Sequence, residues 1–163
     1  TLQISEREAA KIVNGIFARY PEVRYYIEAC HQFIRREGYV RNIDGRIRGF
    51  PNVWSNKQSL INACFREGFN HEVQGPASDL TLKAAVRVWN FLEQNGFKSR
   101  PILLVHDNLA TDSPPEERDQ VYQSQKTIME DAPPWMLVPA KTDIRACKTW
   151  GDPKGIDYYG TTN

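Results

Sequence analysis

The chain has 163 residues, 40% of them hydrophobic and 10 of them glycine, a globular composition that excludes disorder and collagen-like repeats. Twenty-one Lys and Arg stand against 20 Asp and Glu, so net charge makes no case for a nucleic-acid or membrane surface, and no apolar run approaches the ~20 residues of a membrane helix. The opening residues, Thr1 to Ser5, read as carrying no secretion signal. Cys30, Cys64 and Cys147 are odd in number and form no CxxC, which points to reduced thiols buried as small core residues in a cytoplasmic compartment, not to disulfides or zinc. In chain order, Ser5-Glu6-Arg7-Glu8 is a capping box. Behind it, Ala9, Ile12, Val13, Ile16, Phe17 and Tyr20 recur at helical spacing, predicting a helix to about Tyr20. Pro21 suits the first turn of a second helix that carries Val23, Ile27, Cys30 and Ile34 and stops at Gly38. Tyr39 to Arg48 alternates around Asp44-Gly45 and reads as a hairpin. A second capping box, Ser55 to Gln58, predicts a helix to about Phe69; a break over His71 to Pro76 precedes a longer helix from Ala77 to Asn95, ended by Gly96.

The run Ile102-Leu103-Leu104-Val105 has the continuous apolar character of a strand covered on both faces, turning at His106-Asp107-Asn108 into an antiparallel return over Leu109 to Asp112. Pro114 and Pro115 open an acidic helix to about Asp131, Val138 to Cys147 reads as a last strand, and Gly151 to Asn163 as a tail. The sum is an α+β chain with helices packed on one face of an antiparallel sheet. Charge is locally uneven. Thr1 to Arg66 holds 11 Lys/Arg and 6 Asp/Glu, whereas His106 to Asp131 holds 2 and 7. Solvated helix faces account for such asymmetry as well as function does. Arg41, Arg46 and Arg48 around one hairpin are more pointed, because a basic turn can hold a phosphate backbone.

Two stretches carry chemistry. A buried strand that ends in a tight turn delivers Asp107 rigidly to a rim, where its carboxylate suits Mg²⁺, a hard ion that prefers oxygen ligands; His106 beside it can donate to a phosphate or sugar. The alternative is an Asp-Asn turn that hydrogen-bonds itself. One carboxylate does not fix two divalent ions, so a two-metal site needs another acid from elsewhere. The second stretch, Asn70 to Gly75, sets carboxamides just before a helix, beside its positive end; amides donate and accept, and so can read the acceptors that base pairs show in the minor groove. Polar helix capping explains it equally.

Taken together, these residues resemble a known family. Gly38-Tyr39-Val40 with Gly45-Arg46-Ile47-Arg48 resembles the Gly-Tyr-Val…Gly-Arg-x-Arg hairpin of family A DNA polymerases, the bacterial repair-polymerase type. Arg66, Phe69-Asn70, Val73-Gln74-Gly75, Ala77 and Asp79-Leu80 resemble that family's Arg-x-x-Phe-Asn-x-x-Val-Gln-Gly-Thr-Ala-Ala-Asp-Leu segment, and Leu104 to Asp107 is similar to its third palm motif, which usually ends His-Asp-Glu. Arg19-Tyr20-Pro21-Glu22-Val23 resembles its Arg-Tyr-Pro-Gly-Val linker, and Lys148-Thr149-Trp150 its closing strand and Trp. The likeness runs from about Ser5 to Trp150.

The resemblance implies a polymerase palm-type antiparallel sheet, with residues 1–37 a helical hairpin at the junction of fingers and palm, 38–150 a palm segment and 151–163 a tail. It implies a template-directed DNA polymerase acting by two Mg²⁺ ions on a primer-template and deoxynucleoside triphosphates. Asp107 would bind metal and His106 touch the primer terminus; Arg66, Asn70 and Gln74 would contact the minor groove and template, with Arg46 and Arg48 on the basic hairpin. There are departures. Asn108 stands where the family has Glu, Pro76 where it has Thr, and Ser78 where it has Ala. The strand with the first metal-binding aspartate and the fingers helix that grips the triphosphate are missing, so a second polypeptide would have to supply them. A non-catalytic DNA-binding remnant of a palm is the alternative, and an RNA polymerase fragment fits the Val73-Gln74-Gly75…Asp79-Leu80 segment less well.

Overall fold

The capping box at Ser5 forms: the Glu8 amide donates to Ser5 Oγ and the Ser5 amide to Glu8 Oε2, opening α1, Glu6–Arg19. The second helix, α2, spans Pro21–Glu37 and stops at Gly38, whose φ of 73° is a left-handed C-cap that favours glycine. The structure is a computed structural model and describes residues 4–147 and 149. The expected tail, and Lys148 and Trp150, lie outside the described residues. The remaining elements are β1 (Tyr39–Arg41), β2 (Ile47–Gly49), a 3-10 turn (Pro51–Trp54), α3 (Gln58–Gln94), β3 (Arg100–Val105), β4 (Asn108–Asp112) and α4 (Arg118–Glu130). Two antiparallel hairpins with helices around them make the chain α+β. It divides at Pro76 into two units, residues 1–76 and 77–163.

In the first unit, α2, β1, β2, the 3-10 turn and the first half of α3 enclose Cys30, Ile34, Val40, Phe50, Val53 and Cys64. Each fully buried aliphatic or aromatic side chain here contributes about 1.5–3 kcal/mol. Glycine sets the closest approach: a Cβ on Gly68 would lie 2.2 Å from Ile34 Cδ1 and 3.3 Å from Phe50. Because Ile34 is fully buried, it has little room to withdraw. Gly68→Ala is therefore expected to cost about 1–3 kcal/mol by overpacking. The check is the urea midpoint; an unchanged midpoint would show that Ile34 relocates without cost. No residue of α1 is buried, and Ile12, Val13 and Ile16 stand about half exposed.

In the second unit Val88 and Leu92 of α3, Leu109 of β4 and Val121 of α4 form the core, so helices cover one face of the β3–β4 hairpin. Buried Gln125 ties α4 to β4, donating to the Leu109 carbonyl at 3.0 Å and accepting from Thr111 Oγ1 at 2.8 Å. Glu117, at the start of α4, accepts from the Lys98 amide (2.9 Å), the Ser99 amide (2.9 Å) and Ser99 Oγ (2.6 Å), fixing the entry to β3. The Lys98 amide first, then the Ser99 hydroxyl, hold its carboxyl below the ordinary 4.5. A folded-state value below the unfolded one means stabilisation that is full above the ordinary carboxylate range and lost as pH falls through and below it. Wild type is therefore expected to lose more stability than Glu117→Gln between about pH 6 and about pH 3. Parallel urea-midpoint profiles for the two would remove Glu117 from this role.

Five expectations are corrected. First, the break over His71 to Pro76 is absent: α3 is continuous with Pro76 inside it. A proline costs a helix interior about 3 kcal/mol, but Cys64 and Gly68 on one side and Ala84, Val88 and Leu92 on the other are all buried, and their burial outweighs it. Second, Ser55 does not cap a helix as a box; its Oγ accepts from the Lys57 amide and α3 begins at Gln58. Third, β3 is not covered on both faces as expected: Ile102 is 66% exposed, and Leu103, Leu104 and Val105 about 40%. Among the described residues β3 has one partner strand, β4, which is too little to bury a six-residue apolar strand. Fourth, Val138 to Cys147 forms no continuous strand, only a single bridge residue at Ala146; Pro139 lacks a ladder donor, and the Thr142 amide instead donates to Glu130 Oε1. Fifth, Cys147 is exposed, whereas Cys30 and Cys64 are buried as expected. A smaller shift moves the start of α4 from the two prolines to Arg118.

Candidate nucleic-acid and metal sites

Arg66, Asn70 and Gln74 are four residues apart on α3. At 100° per residue that spacing drifts only about 40° per step, so the three share one face, and all three are exposed. The continuous helix removes the expected positive helix end beside Asn70 and Gln74: the amides project from the flank of α3. The β1–β2 hairpin is fastened to this same stretch. Asn42 Oδ1 accepts from the Arg46 amide at 2.9 Å, and the Arg46 carbonyl lies 3.4 Å from His71 Nε2. Gly75 makes the approach possible, since a Cβ there would sit 3.1 Å from Asn42 Nδ2. Arg48 donates to Glu67 Oε2 at 2.6 Å and lies 5.6 Å over the Phe50 ring. The first unit thus brings Arg46 and Arg48 together with the helix that carries Arg66, Asn70 and Gln74. Sequence reasoning missed Glu67 as the partner of Arg48; nothing local marks a contact made across the hairpin and turn.

The second unit holds the other candidates. His106 and Asp107 form the two-residue turn between β3 and β4, with Val105 opposite Asn108. His106 has φ 55° and is the sole non-glycine residue with positive φ among those described. Positive φ at the first turn position alone is the pattern of a type II′ turn, which matches the twist of a hairpin. Both side chains are exposed, as is Asn108. The turn therefore offers one carboxylate at the tip of a strand pair. Among the described residues no group of three or more His, Cys, Asp or Glu is placed to hold a metal. Asp107 suits a hard ion as one ligand; Asn108 brings an amide oxygen without charge. On the β3 side of the same unit, Val86 and Trp89 of α3 with Ile102, Leu103 and Leu104 line an open apolar groove of about 380 Å³. No helix among the described residues is long and apolar enough to cross a membrane.

Comparison with known proteins gives one answer at each level. The family model for DNA polymerase family A matches residues 1–152. DNA polymerase I of Caldicellulosiruptor bescii is 33% identical over 153 residues, 94% of this chain and 18% of that protein. The thermostable DNA polymerase I of Thermus aquaticus is 34% identical over 149 residues, 91% of this chain and 18% of that protein. Among solved structures, the POL domain of Pol1 from M. smegmatis, in complex with DNA primer-template and dNTP, superposes with a TM-score of 0.76 at 30% identity, covering 84% of this chain and 24% of that one. The chain therefore spans less than a fifth of the length of these curated relatives.

Proposed function

Since the chain belongs to DNA polymerase family A, we propose that it is the C-terminal palm-bearing piece of a template-directed DNA polymerase whose other catalytic motifs come from a second polypeptide. The observation that carries this is the β3–β4 hairpin: it presents Asp107 at an exposed turn while its apolar β3 strand lies uncovered, as a half-built sheet would. In this reading residues 1–37 sit at the junction of fingers and palm, 38–150 are palm and 151–163 a tail. The work is done in the cytoplasm of a bacterial or phage-infected cell.

The reaction is attack of a primer 3′-hydroxyl on the α-phosphate of a deoxynucleoside triphosphate: the hydroxyl gives up its proton to solvent, an O–Pα bond forms, and the bond from Pα to the bridging oxygen of the β-phosphate breaks as pyrophosphate leaves. Asp107, with a carboxylate of the second polypeptide, would hold the two Mg²⁺ ions, which would supply Lewis-acid stabilisation of the charge on the phosphoryl oxygens and the attacking hydroxyl. Asp107 contributes one ligand from a turn that is already set, so little conformational freedom is lost on binding. His106 donates to the primer terminus. The face of Arg66, Asn70 and Gln74 reads the minor groove and template, and Arg46 and Arg48 meet the phosphate backbone, with Arg48 leaving or sharing Glu67 as it does so.

Primer extension with Mg²⁺ and four deoxynucleotides tests the proposal, using this chain alone and mixed with a polypeptide that carries the remaining palm and fingers motifs. Extension in the mixture alone supports it. A second reading, a non-catalytic DNA-binding remnant, is favoured by one observation: Asn108 gives the turn an amide where the family has a carboxylate. Primer-template binding without extension in the mixture would establish that reading in its place.

A further inference from the structure

We propose that Glu72 is a positioning residue that sets the roll of α3, and so the aim of Asn70 and Gln74, by holding Tyr26 and Cys30 of α2; this rests on the DNA reading above. Glu72 follows Asn70 by two residues and precedes Gln74 by two, about 200° round the helix from each, so it faces inward where the amides face outward. Tyr26 and Cys30 are four apart on α2 and share a face. The Tyr26 hydroxyl donates to Glu72 Oε2, and the Cys30 thiol to Oε1 at 3.7 Å. The Tyr26 ring also packs edge-on against Phe69, with centroids 6.1 Å apart, so one tyrosine grips α3 at two successive turns.

Roll is the motion that matters for the amides. At the ~6 Å radius of a helix with its side chains, a roll of about 20° moves a side-chain tip by roughly 2 Å, enough to break a hydrogen bond of ~3 Å. A carboxylate held by two donors on one neighbouring helix resists that motion. The donors keep their protons: burial first, then the Glu72 charge, push the Cys30 thiol up to about 12, and burial and Glu72 raise the Tyr26 hydroxyl likewise. The thiol is thereby a hydrogen-bond donor and an inert one, with no nucleophilic role. Glu72 falls in an x position of the Asn-x-x-Val-Gln pattern, so the brace lies outside the residues that carry the resemblance.

A double-mutant cycle in the full chain tests the proposal, read as binding of a fluorescein-labelled primer-template by anisotropy at fixed salt. Gln74→Ala is expected to weaken binding about tenfold. Tyr26→Phe keeps the ring on Phe69 and removes the hydroxyl, and is expected to weaken binding roughly three- to tenfold. Tyr26→Phe added to an Asn70→Ala/Gln74→Ala variant should weaken binding by no more than about twofold further, because the brace acts through those two amides. Multiplied losses, or wild-type affinity in Tyr26→Phe, would overturn the proposal and leave Tyr26 with a packing role alone. Amide hydrogen exchange over residues 70–74 reads the brace without DNA: faster exchange in Tyr26→Phe supports it, and unchanged protection overturns it. Failure of the wild-type chain to bind primer-template even when mixed with the complementary polypeptide would overturn the DNA reading itself, and with it the purpose assigned to the brace.

Discussion

Asp107→Ala is expected to lower primer extension by the completed enzyme roughly a thousandfold or more while leaving the fold intact. The size follows from what a metal ligand does: stabilising charge on a transferring phosphoryl group supplies several kcal/mol, and each 1.36 kcal/mol is tenfold in rate. That the fold survives follows from geometry. Asp107 is exposed at the second position of a two-residue turn, and the conformationally demanding position is its neighbour His106, with φ 55°. The side chain removed therefore buries nothing and relieves no left-handed residue. Single-nucleotide incorporation rates in Mg²⁺, paired with thermal melting of the same preparations, check both halves. Rates equal to wild type would end the metal-ligand assignment. Lost activity accompanied by a lowered Tm would mean that the turn, and not the carboxylate, was damaged.

What could be read in advance divides by the range over which each signal acts. The box at Ser5, the proline that opens α2, the glycine that closes it and the Asp44-Gly45 turn are each decided by residues within about four positions, and each forms. The helix continuity at Pro76 depends on burial many residues away on both sides, so the local signal misled. The apolar strand Ile102 to Val105 is a subtler case. Its composition states that the strand needs cover, and does not say whose; the cover is not furnished by the described residues. The same division holds for the sites. Arg66, Asn70 and Gln74 share one helical face only because α3 runs through the expected break, so their spacing alone does not announce it. The contacts that hold that face, Tyr26 to Glu72 across 46 residues and Arg48 to Glu67 across 19, pair residues that nothing in the linear pattern matches.

The uncovered strand leads to the second large expectation: Ile102→Lys should abolish assembly with the complementary polypeptide, and with it primer extension, while improving the behaviour of the chain alone. Ile102 is 66% exposed and stands at the irregularity between Pro101 and Leu103, so a lysine there meets water in the isolated chain and disturbs no buried neighbour. In the assembled enzyme the same position would lie under the rest of the palm. A buried aliphatic side chain contributes about 1.5–3 kcal/mol, and a lysine left unpaired in an apolar interface costs more, so an affinity loss of at least about a hundredfold is expected. An exposed apolar edge strand also invites pairing with copies of itself, a hazard that edge lysines suppress. Sedimentation of the wild-type chain alone should accordingly show concentration-dependent self-association that Ile102→Lys removes. The two measurements pull apart the possible meanings of the bare strand. A variant that stays monomeric yet still assembles and extends primers would place the partner surface elsewhere on the chain; one that loses both associations identifies β3 as the seam where the polymerase is joined.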